Sequence, residues 1–202
     1  MSINISEIHV QTDKLEKVKE FLVDWLSRTH GKKPIIYTEQ DSFYPFFENK
    51  QPALFSISVI HDNWITILHD SYEPPFVLAD RLSLTFNCTV IQAIGQSTVD
   101  TYYLSVHKEG CMIRKFHCGE DTVGVEQEGE PFPFEKKGFG QEDSDSYFFD
   151  YEDMDKFCQN FGINLLPDPF ENDGQWTIIE IKGRSLHKKD SLLKKLKGIL
   201  LR

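Results

Sequence analysis

Residues 3–10 alternate apolar and polar positions well enough for a strand. Leu15, Val18, Phe21, Leu22, Trp25 and Leu26 then recur at helical spacing. Asp13 with Glu16 three residues later makes a capping-box pattern, so a helix is expected over 13–29, stopped by Gly31 and Pro34. Residues 34–37 read as a short strand, and 40–52 as a loop rich in aromatics. Two β-rich runs, 54–60 and 64–69, joined by His61-Asp62-Asn63, read as a hairpin. Pro74-Pro75 can open a helix, because proline is tolerated in a first turn. Phe76, Ala79, Leu82, Ser83 and Phe86 would be its buried face.

Strand patterns follow at 89–94, 102–106 and 112–118, with a turn at Glu109-Gly110. Val123-x-Val125 suggests one more strand, which would complete an antiparallel meander. Residues 136–147 are polar and acidic, and a mobile loop is expected there. Asp150 can cap a helix with Met154, Phe157, Cys158 and Phe161 on one face and Gly162 as its stop. Residues 176–181 form a last strand pattern, and Leu192, Leu193, Leu196, Ile199 and Leu200 mark an amphipathic helix over 188–201. Hairpins and a meander with interspersed helices imply an α+β fold, a mainly antiparallel sheet with helices packed on one face. The two halves share a faint strand–helix–strand–hairpin echo, as a degenerate duplication would. The expected organisation is one domain over 1–202, with a sub-division near 70–75 as the alternative.

Charge changes this picture more than composition does. The 202 residues carry a net −10, but the segment 182–202 holds eight Lys and Arg against Asp190 alone. That segment is +7 and the rest is −17, with 13 carboxylates concentrated between Glu120 and Asp155. An acidic body suits cationic protein surfaces and repels nucleic-acid phosphate. The first residues lack a basic stretch and an apolar core, and no apolar run reaches membrane-span length, so the expected location is cytoplasmic. Four Cys without a Cys-x-x-Cys pair are expected to be free thiols. The basic 188–201 helix is expected to pack on its own domain, with its lysines solvated or facing the acidic body. Membrane attachment through it is the less favoured use.

Candidate chemistry is sparse. No His-x-x-x-His pattern, nucleophile elbow or phosphate loop occurs, so no catalytic residue, metal ligand or cofactor is assigned. His61, His69, His107 and His117 flank strands and are expected to face solvent. Ser97, Ser105 and the cysteines have no diagnostic sequence context. Glu126, Glu128 and Glu130 alternate, which would place them on one side of an extended segment. With Glu142, Asp143 and Asp145 they are the candidate interface residues for a basic protein partner. In residues 128–135 the two prolines impose an extended piece, with Phe132 and Phe134 docked on the core and the acids outward.

The stretch from Trp64 to Glu135 carries Trp-Ile-Thr-Ile-Leu-His-Asp, Ala79-Asp80-Arg81-Leu82-Ser83, Tyr-x-Leu-x-Val, Ile113-Arg114-Lys115-Phe116 and Glu-Gly-Glu-Pro-Phe-Pro-Phe-Glu. It resembles loosely defined bacterial proteins, some similar to immunity proteins of polymorphic toxin systems. The resemblance covers about a third of the chain. It implies a non-enzymatic inhibitor of a basic toxin and transfers no functional residue. A hydrolase-like cleft built from dispersed Glu, Cys and His is the alternative, and a peripheral membrane protein the third.

Overall fold

The computed structural model describes residues 3–41, 47–120, 122–135, 149–166 and 173–181. Its centre is a nine-stranded antiparallel sheet in the order β2-β9-β3-β4-β1-β5-β6-β7-β8. The strands are β1 (Asn4–Val10), β2 (Ile35–Asp41), β3 (Leu54–His61), β4 (Trp64–His69), β5 (Val90–Gln96), β6 (Thr101–Lys108), β7 (Cys111–Cys118), β8 (Glu126–Gly129) and β9 (Asp173–Glu180). The helices are α1 (Leu15–His30), α2 (Phe76–Phe86) and α3 (Tyr151–Gln159), with a 3₁₀ turn at Pro133–Glu135. The α+β class and the order of elements follow the sequence pattern. The expected helix over 188–201 and the acidic loop 136–147 lie outside the described residues.

Strand alternation divides the core into two layers, one on each side of the sheet. Ile8 and Val10 of β1 pack with Ile65, Ile67 and Val90 beneath Val18, Leu22 and Leu26 of α1 and Leu78, Ala79 and Leu82 of α2. Their sequence neighbours on the other face pack with Met154, Phe157 and Cys158 of α3, alongside Phe116 and Phe149. Helices therefore cover both faces, not one. β1 is buried along both sides because it sits mid-sheet, so each face of it needs its own cover.

Three local expectations change. The capping box does not form: Lys14 is the N-cap of α1 and no side chain caps it. Asp150 does cap α3, accepting from the Glu152 and Asp153 amides at 2.8 and 3.2 Å, worth about 1 kcal/mol. The strand expected at Val123 lies later, at β8, and Val123 is 98% exposed. Phe132 and Phe134 stack on each other and meet Phe157 and Phe161 edge-on, as the proline-fixed segment implied. Glu135, expected to point outward, is buried.

Candidate functional site

The burial of Glu135 explains how β8 is held. Arg114 of β7 donates from Nε and Nη2 to the Glu135 carboxylate, the shortest contact being 2.6 Å. Nη1 donates to the Glu128 and Gly129 carbonyls, and Nη2 also donates to Gln127 Oε1. Glu135 in turn accepts from the Phe132 amide at 2.8 Å. One buried guanidinium thus ties together β7, β8 and the proline segment, and both oxygens of its partner carboxylate accept hydrogen bonds, the condition under which a buried pair is tolerated. Gly129 lets the strand end here. Its φ is +86°, and a Cβ would stand 2.0 Å from the Ile113 carbonyl oxygen.

On this frame Glu126 and Glu128 lie side by side. They pair across β7 with His117 and Lys115, so all four side chains share the α2 face of the sheet. Lys115 Nζ is 2.7 Å from Glu128 and 3.9 Å from Glu126, and His117 Nδ1 is 3.6 Å from Glu126. Both carboxylates remain about half exposed. Glu130 is exposed beyond the strand. Glu142, Asp143 and Asp145 lie outside the described residues. Sequence alternation found the acids, but not the basic pair facing them, because Lys115 and His117 lie on another strand.

The histidines depart most from expectation. His69 and His107 are fully buried, and so is His9. His69 Nδ1 lies 2.9 Å from both Ser6 Oγ and Ser71 Oγ. Those hydroxyls also donate to the His69 and Glu73 carbonyls, which uses their single protons. The hydrogen bonds therefore assign the proton to Nδ1 and leave Nε2 bare and unpartnered. A charged ring would bury an N–H with no acceptor, and burial lowers its pKa to about 3.

His107 joins Asp80 of α2 to Ser105 of β6. Its Nδ1 is 2.7 Å from Asp80 Oδ1, and Ser105 Oγ is 2.9 Å from its Nε2. Burial lowers the His107 pKa, partly offset by Asp80. Asp80 accepts from Nδ1–H, so Nε2 can accept from Ser105, the orientation used by acyl-transfer triads. Two facts oppose that chemistry. Ser105 is 1% exposed, and it sits mid-strand, paired with Gln92 on one side and Lys115 on the other. Its surrounding amides serve the sheet ladder, whereas an acyl transition state needs free donors at the developing oxyanion. The relay fastens α2 to the meander, assisted by the Gly110 amide on Ser83 Oγ at 2.9 Å.

A third buried cluster lies on the opposite face. Glu7 Oε1 accepts from the Leu166 amide at 2.9 Å. Glu7 Oε2 and His9 Nε2 are 3.0 Å apart, in ion-pair range but without hydrogen-bond geometry. His9 stacks on His61, whose Nε2 accepts from the Asn164 amide. Trp64 donates to the Phe161 carbonyl and Asp155 accepts from Leu165, so residues 161–166 are strapped over the pair. Glu7 and His9 are themselves closed to solvent.

The four cysteines are free thiols, and burial raises the pKa of Cys118 and, further, of Cys158. Among the described residues, no group of three or more His, Cys, Asp or Glu could hold a metal ion. No helix among them is long and apolar enough to cross a membrane. No family model, curated protein or solved structure matches the chain.

Proposed function

We propose that this chain is a non-enzymatic, cytosolic binding module that docks a basic protein along β8, in the manner of an immunity-type inhibitor of a basic toxin. The observation that carries the reading is the position of β8. It closes one end of the sheet, all four of its residues are exposed, and Glu126 and Glu128 stand together on one face. Among the described residues β8 has no outer neighbour, and such an edge can add a strand from a partner, main-chain bonding then providing affinity while flanking carboxylates select basic side chains. Lys115 offsets part of the acidic charge, which weakens attraction to weakly basic surfaces.

The test begins with affinity capture from the native host at low and moderate salt, followed by kinetics with the retained protein. Reversing Glu126, Glu128 and Glu130 to Lys should slow association by about tenfold or more at low salt and flatten its salt dependence. An unchanged on-rate would remove β8 as the docking edge.

A further inference from the structure

A groove of about 380 Å³ separates α1 from α2, walled by Trp25, Thr29, Pro52, Pro74, Phe76 and Val77. Pro52 is next to Ala53, whose carbonyl accepts the Ile181 amide at 3.0 Å. One wall of the groove therefore lies beside the point where the chain leaves β9. Phe76, another of its walls, reaches across to the sheet. Phe76 meets Tyr103 at 5.2 Å, Tyr103 meets His117 at 6.0 Å, and His117 lies 3.6 Å from Glu126. α2 also exposes Val77 (58%) beside the groove and Leu84 (64%) two turns further on, next to Gly110 of the β6–β7 turn.

We propose that the occupant of this surface is the chain's own basic segment, residues 182–202, whose leucines cover Val77 and Leu84 while its lysines approach Glu126 and Glu128. Three observations converge on this occupant. Ile181 belongs to the same core layer as Leu78, Ala79 and Leu82 of α2, so the chain leaves β9 on the correct face. Ten residues, 182–191, can span about 33 Å, and α2, over β5 and β6, is four to five strand spacings from β9, roughly 19–24 Å. The segment is +7 with leucines at 192, 193, 196 and 200, and the contacts leading from Phe76 end on a carboxylate. The inference rests on reading β8 as a docking edge for basic groups, and it makes the segment a tethered competitor for that edge, favoured by high effective concentration.

The experiment is hydrogen exchange on the full chain, with a synthetic peptide of residues 182–202 as the unprotected reference. Amides of 192–200 should exchange at least about tenfold more slowly in the protein than in the peptide. The V77D/L84D variant, altered only at exposed positions, should return them to the peptide rate while the rest of the chain keeps its protection, its thermal midpoint falling only by what the lost docking contributed. Equal rates in wild type and peptide would overturn the proposal, as would protection that survives V77D/L84D. No partner enters this measurement, so its failure leaves the docking reading standing. In partner kinetics V77D/L84D should raise the on-rate, and an unchanged on-rate would remove the competition alone.

Discussion

At the scale of single residues, the buried polar groups decide how the protein responds to acid and to substitution. His69 takes up a proton only near pH 3 when folded, but near its ordinary value of 6.5 when unfolded. Between those limits the unfolded state binds more protons, so stability falls as pH drops from about 6.5 towards 3, by up to about 1.4 kcal/mol per pH unit. Replacing His69 by Gln should flatten this dependence, measured as urea midpoints between about pH 4 and 7. An unchanged slope would mean that His69 is not the group. Arg114 and Glu135 give the second prediction. Glu135→Gln removes the charge partner of a buried guanidinium and should cost roughly 3–5 kcal/mol. Mutating Arg114 to Lys should cost nearly as much, because one ammonium cannot replace a fork that reaches Glu135, Gln127 and two carbonyls. Guanidinium unfolding with constant m would register both.

At the scale of elements, α2 is fastened by polar contacts as much as by its apolar face. Asp80→Ala leaves the buried His107 N–H without an acceptor and should cost about 1–3 kcal/mol, read from thermal unfolding. A fluorophosphonate probe should leave Ser105 unlabelled, and labelling lost in Ser105→Ala would make the relay catalytic. These fastenings were not legible in the sequence, and distance along the chain explains why. Ser6 and His69 are 63 residues apart, and Glu7 and Leu166 are 159 apart. Local patterns were legible. The hairpin through Asn63, the Glu109-Gly110 turn with both φ angles positive, and Asp150 capping α3 were each written in adjacent residues. Register was legible to within one residue: His107 faces Met112 as counting outward from the turn implies, and His117 faces Tyr103, one place off that count because the register shifts between Val106 and His107. β8 was misplaced because a polar edge strand carries no apolar alternation, while Val123-x-Val125 imitates one. Alternation of Glu126 and Glu128 still located the candidate site, since a period of two survives a shift in where the strand begins.

At the scale of the whole molecule, one sheet contains strands from both halves of the chain. A break near 70–75 would divide β1 to β4 from β5 to β8, yet β1 and β5 pair along seven residues from Asn4 with Gln96 to Val10 with Val90. β9 returns to the first half, between β2 and β3, after the chain has completed the second. Both cores also cross the seam: Val90 packs with the layer under α1, and Ile5 and Trp64 with the layer under α3. Separating the halves would uncover β1 along its pairing with β5 and cut both layers at once, so the two halves are expected to unfold together. Calorimetry should accordingly give one transition with van't Hoff and calorimetric enthalpies equal. Replacing Ile8 by Ala, which opens a cavity beside the seam, should lower that single midpoint by an amount equivalent to about 2–5 kcal/mol without splitting it. Two resolved transitions, with only one moved by the substitution, would show that the halves fold independently and that β8 is presented by a unit separate from α1.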